Sequence, residues 1–363
     1  MTSSFLLNKL SRKNEVRKVK IMQSYQNLLK KIGCPVCYKD SVLLLWSADS
    51  KEAAKNFVLQ EQHPERFFKL VSHIETLWGQ NTCEVVKCCN CDFCFSYPYI
   101  AGDAQFYSLA YVRSGYPKWK WEFQLTFDVV SNISDRNLKL LEIGAGNGAF
   151  IRRIVGKYLP KENITCIEFS DYGRQTIENL GVKCLPEDVR NLSNPALEKN
   201  FDVICMFQVL EHMDKLDVLF QKLNWLLKNG GSVFISVPNP SRIEFNELNS
   251  ALLDMPPNHI GRWNKKCYEE IGKRYGFHVN DFRVEGLEFF SMVKQFVIYR
   301  FLKSSQRTGS FENKVLTIKN RYLLRIMQIL AVGVNFIAAV PALIKMNSGH
   351  GNSLWIHLKK TKD

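Results

Sequence analysis

The stretch Glu142–Ala149, EIGAGNGA, follows the apolar run LKLLEI (138–143) and fits two patterns at once, G-x-G-x-x-G/A and acidic-x-G-x-G-x-G. Its three glycines, Gly144, Gly146 and Gly148, fall between a predicted strand and a predicted helix. Bare backbone lets a ligand come close, and the unpaired N–H groups at a helix start favour an anionic or polar ligand. Such a turn suits a nucleotide-type ligand, and the residues around it must decide which one.

Working outward, the chain alternates in the α/β manner. Strand ITCIEF (164–169) precedes a helix from Asp171, a short strand VKCL (182–185) and strand FDVICMF (201–207). A helix over 214–228, strand GSVFISV (231–237), a helix over 265–275, strand FHVNDF (277–282) and a terminal strand SLWIHL (353–358) complete the set. A helix is also expected from Asn147. The strands are apolar runs rather than alternating ones, which predicts a largely parallel sheet covered on both faces.

A dinucleotide and S-adenosylmethionine (SAM) both fit the glycine turn. Glu142, two residues before the first glycine, would repel a pyrophosphate but suits the ammonium and sulfonium side of SAM. Glu168 ends the next strand, where a carboxylate can accept both ribose hydroxyls in either reading. The stretch FDVICMFQVLEHMDK continues a hydrophobic strand into Q-V-L-E-H, an element that dehydrogenases lack.

LLEIGAGNG, CIEFS, DVICMFQVLEH and PPNHIGRW together resemble class I SAM-dependent methyltransferases. The nearest resemblance is to those with a cysteine-rich N-terminal module, associated with glycan and other small-molecule biosynthesis. It covers about residues 80–285 and returns at the terminal strand. It implies an α/β fold, a Rossmann-like seven-stranded sheet with a small zinc-binding module in front and a hydrophobic helical insertion before the last strand. It also implies a cofactor site. Gly144, Ala145, Gly146 and Gly148 would line the methionine portion beside Glu142, and Glu168 would hold the ribose. Asp188 would meet the adenine amino group with Val189 beside it, and Gln208 and Val209 would lie near the methyl. From the residues alone, Asp188 also reads as a cap of its own loop, with Glu187 its rival.

Seven of the eleven cysteines fall between Cys34 and Cys94. The apolar patch Phe5–Leu7 is too short for a secretory signal core, so a cytoplasmic chain with reduced thiols is expected. GCPVC offers Cys34 and Cys37, and KCCNCDFCF offers the overlapping pairs Cys88/Cys91 and Cys91/Cys94. Four thiolates on two tight turns make the closed tetrahedral site of structural zinc. The resemblance, through a C-x-x-C-G-x-x-F pattern, implies Cys34, Cys37, Cys88 and Cys91 as ligands, with Cys94 the alternative. Asp92 in place of glycine and a fifty-residue spacer depart from that pattern.

The expected organisation is a basic amphipathic helix (1–32), the cysteine module (33–110), the SAM-binding domain (111–285), the helical insertion (286–350) and the terminal strand (351–363). The insertion holds nineteen uncharged residues, Ile326 to Ile344. That length permits a crossing, but a terminal strand returning to the sheet, together with Gln328, Asn335 and Pro341, argues against one. A packed cap or peripheral contact with an anionic membrane fits better, because eight Lys/Arg face one Glu between Lys294 and Arg325.

The formal charge of +14 favours an anionic partner. His212 and His259 are the candidate bases for the acceptor. The Pro-rich segment 238–264 reads as a lid presenting His259, Arg262 and Trp263 together, as base, phosphate grip and sugar-stacking face. The expected reaction is O-methylation of a sugar, nucleotide-sugar or lipid-linked acceptor. RNA is an alternative substrate, disfavoured because the spacer between the cysteine pairs has no basic–aromatic stripe, and sugar C-methylation is another.

Overall fold

A computed structural model describes residues 29–111, 119–133, 135 and 137–361. Its strands are β1 (Leu29–Lys31), β2 (Ser41–Asp49), β3 (Thr82–Cys88), β4 (Cys94–Tyr97), β5 (Leu140–Ile143), β6 (Ile164–Ile167), β7 (Lys183–Leu185), β8 (Phe201–Phe207), β9 (Leu227–Pro238), β10 (Gly261–Arg262), β11 (Phe277–Val284) and β12 (Ser353–Lys360). The N-terminal helix expected over 1–32 lies outside the described residues except at its end, where Leu29–Lys31 are strand.

Seven strands form the larger sheet in the order β11-β12-β9-β8-β5-β6-β7. The pairs among β5 to β9 are parallel, and β12 inserts antiparallel between β9 and β11. This is the class I methyltransferase sheet. Its central strands are apolar without alternation because helices cover both faces: every residue of β5, and all of β8 except Asp202, is buried. Strand 201–207 and helix Lys265–Tyr275 fall where the sequence pattern puts them. The helix expected from Asn147 is one short turn, Ile151–Ile154, ending at an isolated bridge between Val155 and Leu159.

The second sheet, β1-β2-β3-β4-β10, accounts for the long cysteine spacer. Between the two cysteine turns the chain runs β2, helix Ser50–Lys55, helix Pro64–Trp78 and β3. The buried stripe Phe67, Leu70, Val71, Ile74 and Trp78 packs a core of its own with Phe106 and Met255. The first helix is set by a capping box between Asp49 and Glu52. The fifth strand, β10, comes from the far side of the glycine-loop domain, pairing Gly261 with Phe95 and Arg262 with Cys94. The four cysteines share one buried cluster with Ile204, Ile235, Trp263 and Tyr268, so the module is built into the main core.

Helices Phe289–Ser305, Phe311–Leu316 and Arg321–Leu343 lie between β11 and β12. The last is long and apolar enough to cross a membrane, yet only 22% of its most apolar window is buried in the protein. Tyr322, Ile326, Ile329 and Ile337 are among its exposed side chains. Residues 344–352 alone separate it from β12 in mid-sheet.

Candidate active site

The glycine loop is built by close approach. Gly144, Gly146 and Gly148 all have positive φ, at 70°, 57° and 71°. A Cβ on Gly144 would stand 2.5 Å from Val209 Cγ2, so glycine is required where the loop meets the segment after β8. Gly146 N–H donates to Glu168 Oε2 and Ser170 N–H to Oε1, both at 2.8 Å, so Glu168 braces the loop against the next helix. Sequence reasoning missed Gly173, where a Cβ would meet Gly146 O at 2.5 Å. Its only signal is its place in the first turn after Ser170.

Glu142 is buried in β5 with Oε2 unpartnered, and burial, with Glu168 nearby, raises its carboxyl well above the usual range. This orphaned oxygen fits a hydrogen-bond-donating group of a cofactor placed against the loop. Ala145 is buried beside them. Gln208 adopts φ 57° and directs Nε2 toward Glu122 and Ser353, at 3.3 Å each, and Val209 closes on Gly144.

Asp188 lies in the loop after β7, where it caps the turn Val189–Asn191 through Arg190 N–H. Its carboxylate also grips the Arg190 guanidinium, which reaches Asp214 as well. The cap reading therefore describes what Asp188 does in this structure. Val189 is buried in the core.

The LEH and NHIG motifs, far apart in sequence, form one unit. Ile260 N–H donates to Glu211 O at 2.9 Å, and His212 Nδ1 donates to Asn258 O at 2.7 Å. Burial, with His259 beside it, pushes His212 down to about 3, so its ring is held neutral, a much weaker base than His259. His259 differs. Burial works against its imidazolium, but Asp254, 2.5 Å from Nδ1, raises its pKa above the ordinary value. Arg262 steadies this pair by a contact to Asp254 O at 3.3 Å.

A cavity of about 780 Å³ opens where β8, β9 and β12 end or begin, lined by Gln208, Pro238, Asp254, His259 and Ser353 among others. It is the crevice that open α/β sheets offer to ligands. Two of the three lid side chains do not face it as expected. Arg262 is buried and bound at both Nη atoms by Glu247, at 2.9 and 2.6 Å. Trp263 is fully buried against Phe93 and Tyr268. Both belong to the seam made by β10, whose pairing fixes the inward direction of these neighbours.

Among the described residues two groups offer metal-ligand sets. Cys34, Cys37, Cys88 and Cys91 are buried with their sulfurs all within 4.8 Å of one another, and two of the separations are 3.7 and 3.4 Å. A tetrahedron with Zn–S bonds of about 2.3 Å has sulfurs roughly 3.8 Å apart, so the cluster fits a zinc ion. The two turns repeat each other. Tyr38 N–H bonds Cys34 O and Cys34 N–H bonds Lys39 O, while Asp92 N–H bonds Cys88 O and Cys88 N–H bonds Phe93 O. The residue after each pair is left-handed, Tyr38 at φ 57° and Asp92 at φ 60°. Asp92 therefore holds the position that favours glycine and binds Lys266 at 2.7 Å. Cys94 lies in β4, outside the group. The second set, Glu211, His212 and His259, has its donor atoms within the same 4.8 Å limit.

The methyltransferase domain family matches residues 119–281. The curated relatives found include the mitochondrial ubiquinone biosynthesis O-methyltransferase of Dictyostelium discoideum, 26% identical over 30% of this chain and 37% of that protein. The ubiquinone biosynthesis O-methyltransferase of Pelagibacter ubique is 29% identical over 29% of this chain and 43% of that protein. Each match spans less than half of the relative's length. Among solved structures, phosphoethanolamine N-methyltransferase 2 of Haemonchus contortus aligns at a TM-score of 0.40 and 14% identity, over 67% of this chain and 53% of that one. At that score the likeness carries no argument. The sheet order and glycine loop are those of the class I methyltransferase fold, and the matched domain spans a little under half of this chain, which joins it to a tetracysteine module and a helical insertion.

Proposed function

We propose that the chain is a SAM-dependent methyltransferase that methylates a hydroxyl of a small molecule, a sugar, nucleotide-sugar or lipid-linked intermediate. The observation that carries this reading is the cavity itself, which brings Gln208, next to the glycine loop, and the His259–Asp254 pair into one space. The O-methyltransferase names of the matched relatives support oxygen as the acceptor atom.

SAM, when bound, supplies an electrophilic methyl group. The bare backbone of Gly144, Gly146 and Gly148 would let the loop lie against it, Glu142 and Glu168 would supply carboxylates beside the loop, and Val209 would shape the wall. Asp188 and Val189 would flank the adenine side. His259 would accept the hydroxyl proton at Nε2, and Asp254 would hold the imidazole orientation and stabilise the resulting cation. His212 fixes the lid through Asn258. The cysteine set Cys34, Cys37, Cys88 and Cys91 would hold a structural zinc that locks the two knuckles together.

Peripheral contact with an anionic membrane is part of this reading. The exposed apolar side of helix Arg321–Leu343 and the basic residues preceding it support it. Incubation of the full chain with SAM and fractionated hydroxylated glycan and lipid precursors should release S-adenosylhomocysteine in at least one fraction. Binding of SAM without release in any fraction, from sugars to lipid-linked species, would contradict the acceptor class.

A further inference from the structure

Arg242 sits in helix Pro240–Leu248 and is 3% exposed, yet no carboxylate pairs with it among the described residues. Its guanidinium stands about 6 Å from the rings of Phe245 and Phe296. Nη2 makes two long contacts, to Met292 O and Gln295 Oε1 at 3.4 Å each, while Nε and Nη1 have no acceptor. Arg190 and Arg262, by contrast, are neutralised by Asp188 with Asp214 and by Glu247. A buried cation left unpaired is costly, so a partner from outside the chain is expected.

The surroundings point to an anion. Arg242 lines the 780 Å³ cavity together with Asn246, Gln295 and Tyr299. Asn246, one turn along the same helix, is buried with Oδ1 unpartnered, an acceptor suited to a hydroxyl beside the anion rather than to the anion itself. Gln295 donates to the Tyr299 hydroxyl at 3.2 Å, which leaves the phenolic proton for another acceptor. Three of the four acids on the cavity wall are taken up elsewhere: Lys120 and Gln208 meet Glu122, His259 meets Asp254, and Glu285 accepts Ser353 N–H. The fourth, Glu288, is exposed at the start of the next helix with no side-chain cap hydrogen bond, where water screens it. Gln295 and Tyr299 belong to helix Phe289–Ser305, which begins with the exposed Phe289 and Phe290 and packs against helix Arg321–Leu343.

We propose that Arg242, with Tyr299, binds a phosphate-type group on the acceptor, and that the acceptor is an amphiphile whose apolar part leaves the cavity along the helical insertion. This rests on the cavity being the acceptor site of the proposed methyltransferase. It reassigns anion recognition from Arg262, which Glu247 occupies, to Arg242.

The test uses the full chain saturated with S-adenosylhomocysteine, whose binding is titrated first. Octyl phosphate below its micellar concentration, inorganic phosphate and 1-octanol are then compared by calorimetry and by thermal shift. Octyl phosphate should saturate one site and raise Tm, inorganic phosphate should bind at least tenfold more weakly, and octanol should do neither. Arg242→Gln should weaken octyl phosphate at least tenfold, and Arg242→Lys, which keeps the charge but loses the planar fork, should weaken it less. Equal effects of octyl phosphate and octanol on the wild-type chain, or unchanged binding in Arg242→Gln, would overturn the proposal. Inorganic phosphate binding as tightly as octyl phosphate would overturn its amphiphilic half. If Arg242→Gln loses S-adenosylhomocysteine binding and so is misfolded, the wild-type ligand comparison and Arg242→Lys decide. Failure of the wild-type chain to bind S-adenosylhomocysteine would count against the methyltransferase reading instead.

Discussion

Asp254 and His259 carry the most chemical weight of any pair in the cavity. The imidazole accepts a proton only when neutral, and Asp254 raises its pKa above the ordinary value of 6.5. The rate should therefore fall as pH drops through a value above 6.5. Asp254→Asn removes the stabilising charge and leaves burial, which favours the neutral ring, so the acidic limb should move to lower pH. It should also cut kcat by roughly a hundredfold, the low end of what general base catalysis contributes. A pH–rate profile of both proteins checks the shift. His212, held at about 3, should add no second limb above pH 4. Gly144→Ala tests the loop, because its Cβ would stand 2.5 Å from Val209 at a positive φ. SAM affinity should fall about tenfold or more, a loss of about 1.4 kcal/mol or above, with Val209→Ala partly restoring it.

The two cysteine knuckles and the apolar helix show what single elements contribute. Metal analysis of the purified chain should find about one zinc per chain, as four thiolates in a closed site require. Cys88→Ser should lose it and lower Tm by several degrees, whereas Cys94→Ser, outside the group, should keep both. Because the cysteines share a core with Ile204 and Trp263, chelation should also reduce SAM binding rather than melt the module alone. Equal zinc retention in the two variants would refute this ligand set. Helix Arg321–Leu343 should drive co-sedimentation with vesicles rich in anionic phosphatidylglycerol and not with neutral ones. Ile329→Asp with Ile337→Asp should abolish it while leaving SAM affinity unchanged, since both side chains are more than 70% exposed. These elements were also the most legible from sequence, because each rests on local spacing. The C-x-x-C turns, the glycine loop and the apolar runs are short-range signals that survive any tertiary arrangement.

The molecule as a whole was legible only where its parts repeat a local pattern. Nothing local says that Gly261–Arg262 leaves the sheet region to become the fifth strand of the cysteine module, and that one pairing turns Trp263 and Arg262 inward. The expected trio of lid side chains is thereby reduced to His259. The same limit hid Asp254, Gly173 and the unpaired Arg242, whose roles depend on contacts between distant segments. Asp188 shows the reverse case, where a residue two places along, Arg190, claims the carboxylate. What joins these parts is the glycine loop after β5, braced by Glu168 after β6 and met by Val209 after β8, and calorimetry on the full chain interrogates it most directly. SAM should bind at one saturable site while NAD gives no saturable heat; saturation by NAD with no heat from SAM would contradict the account.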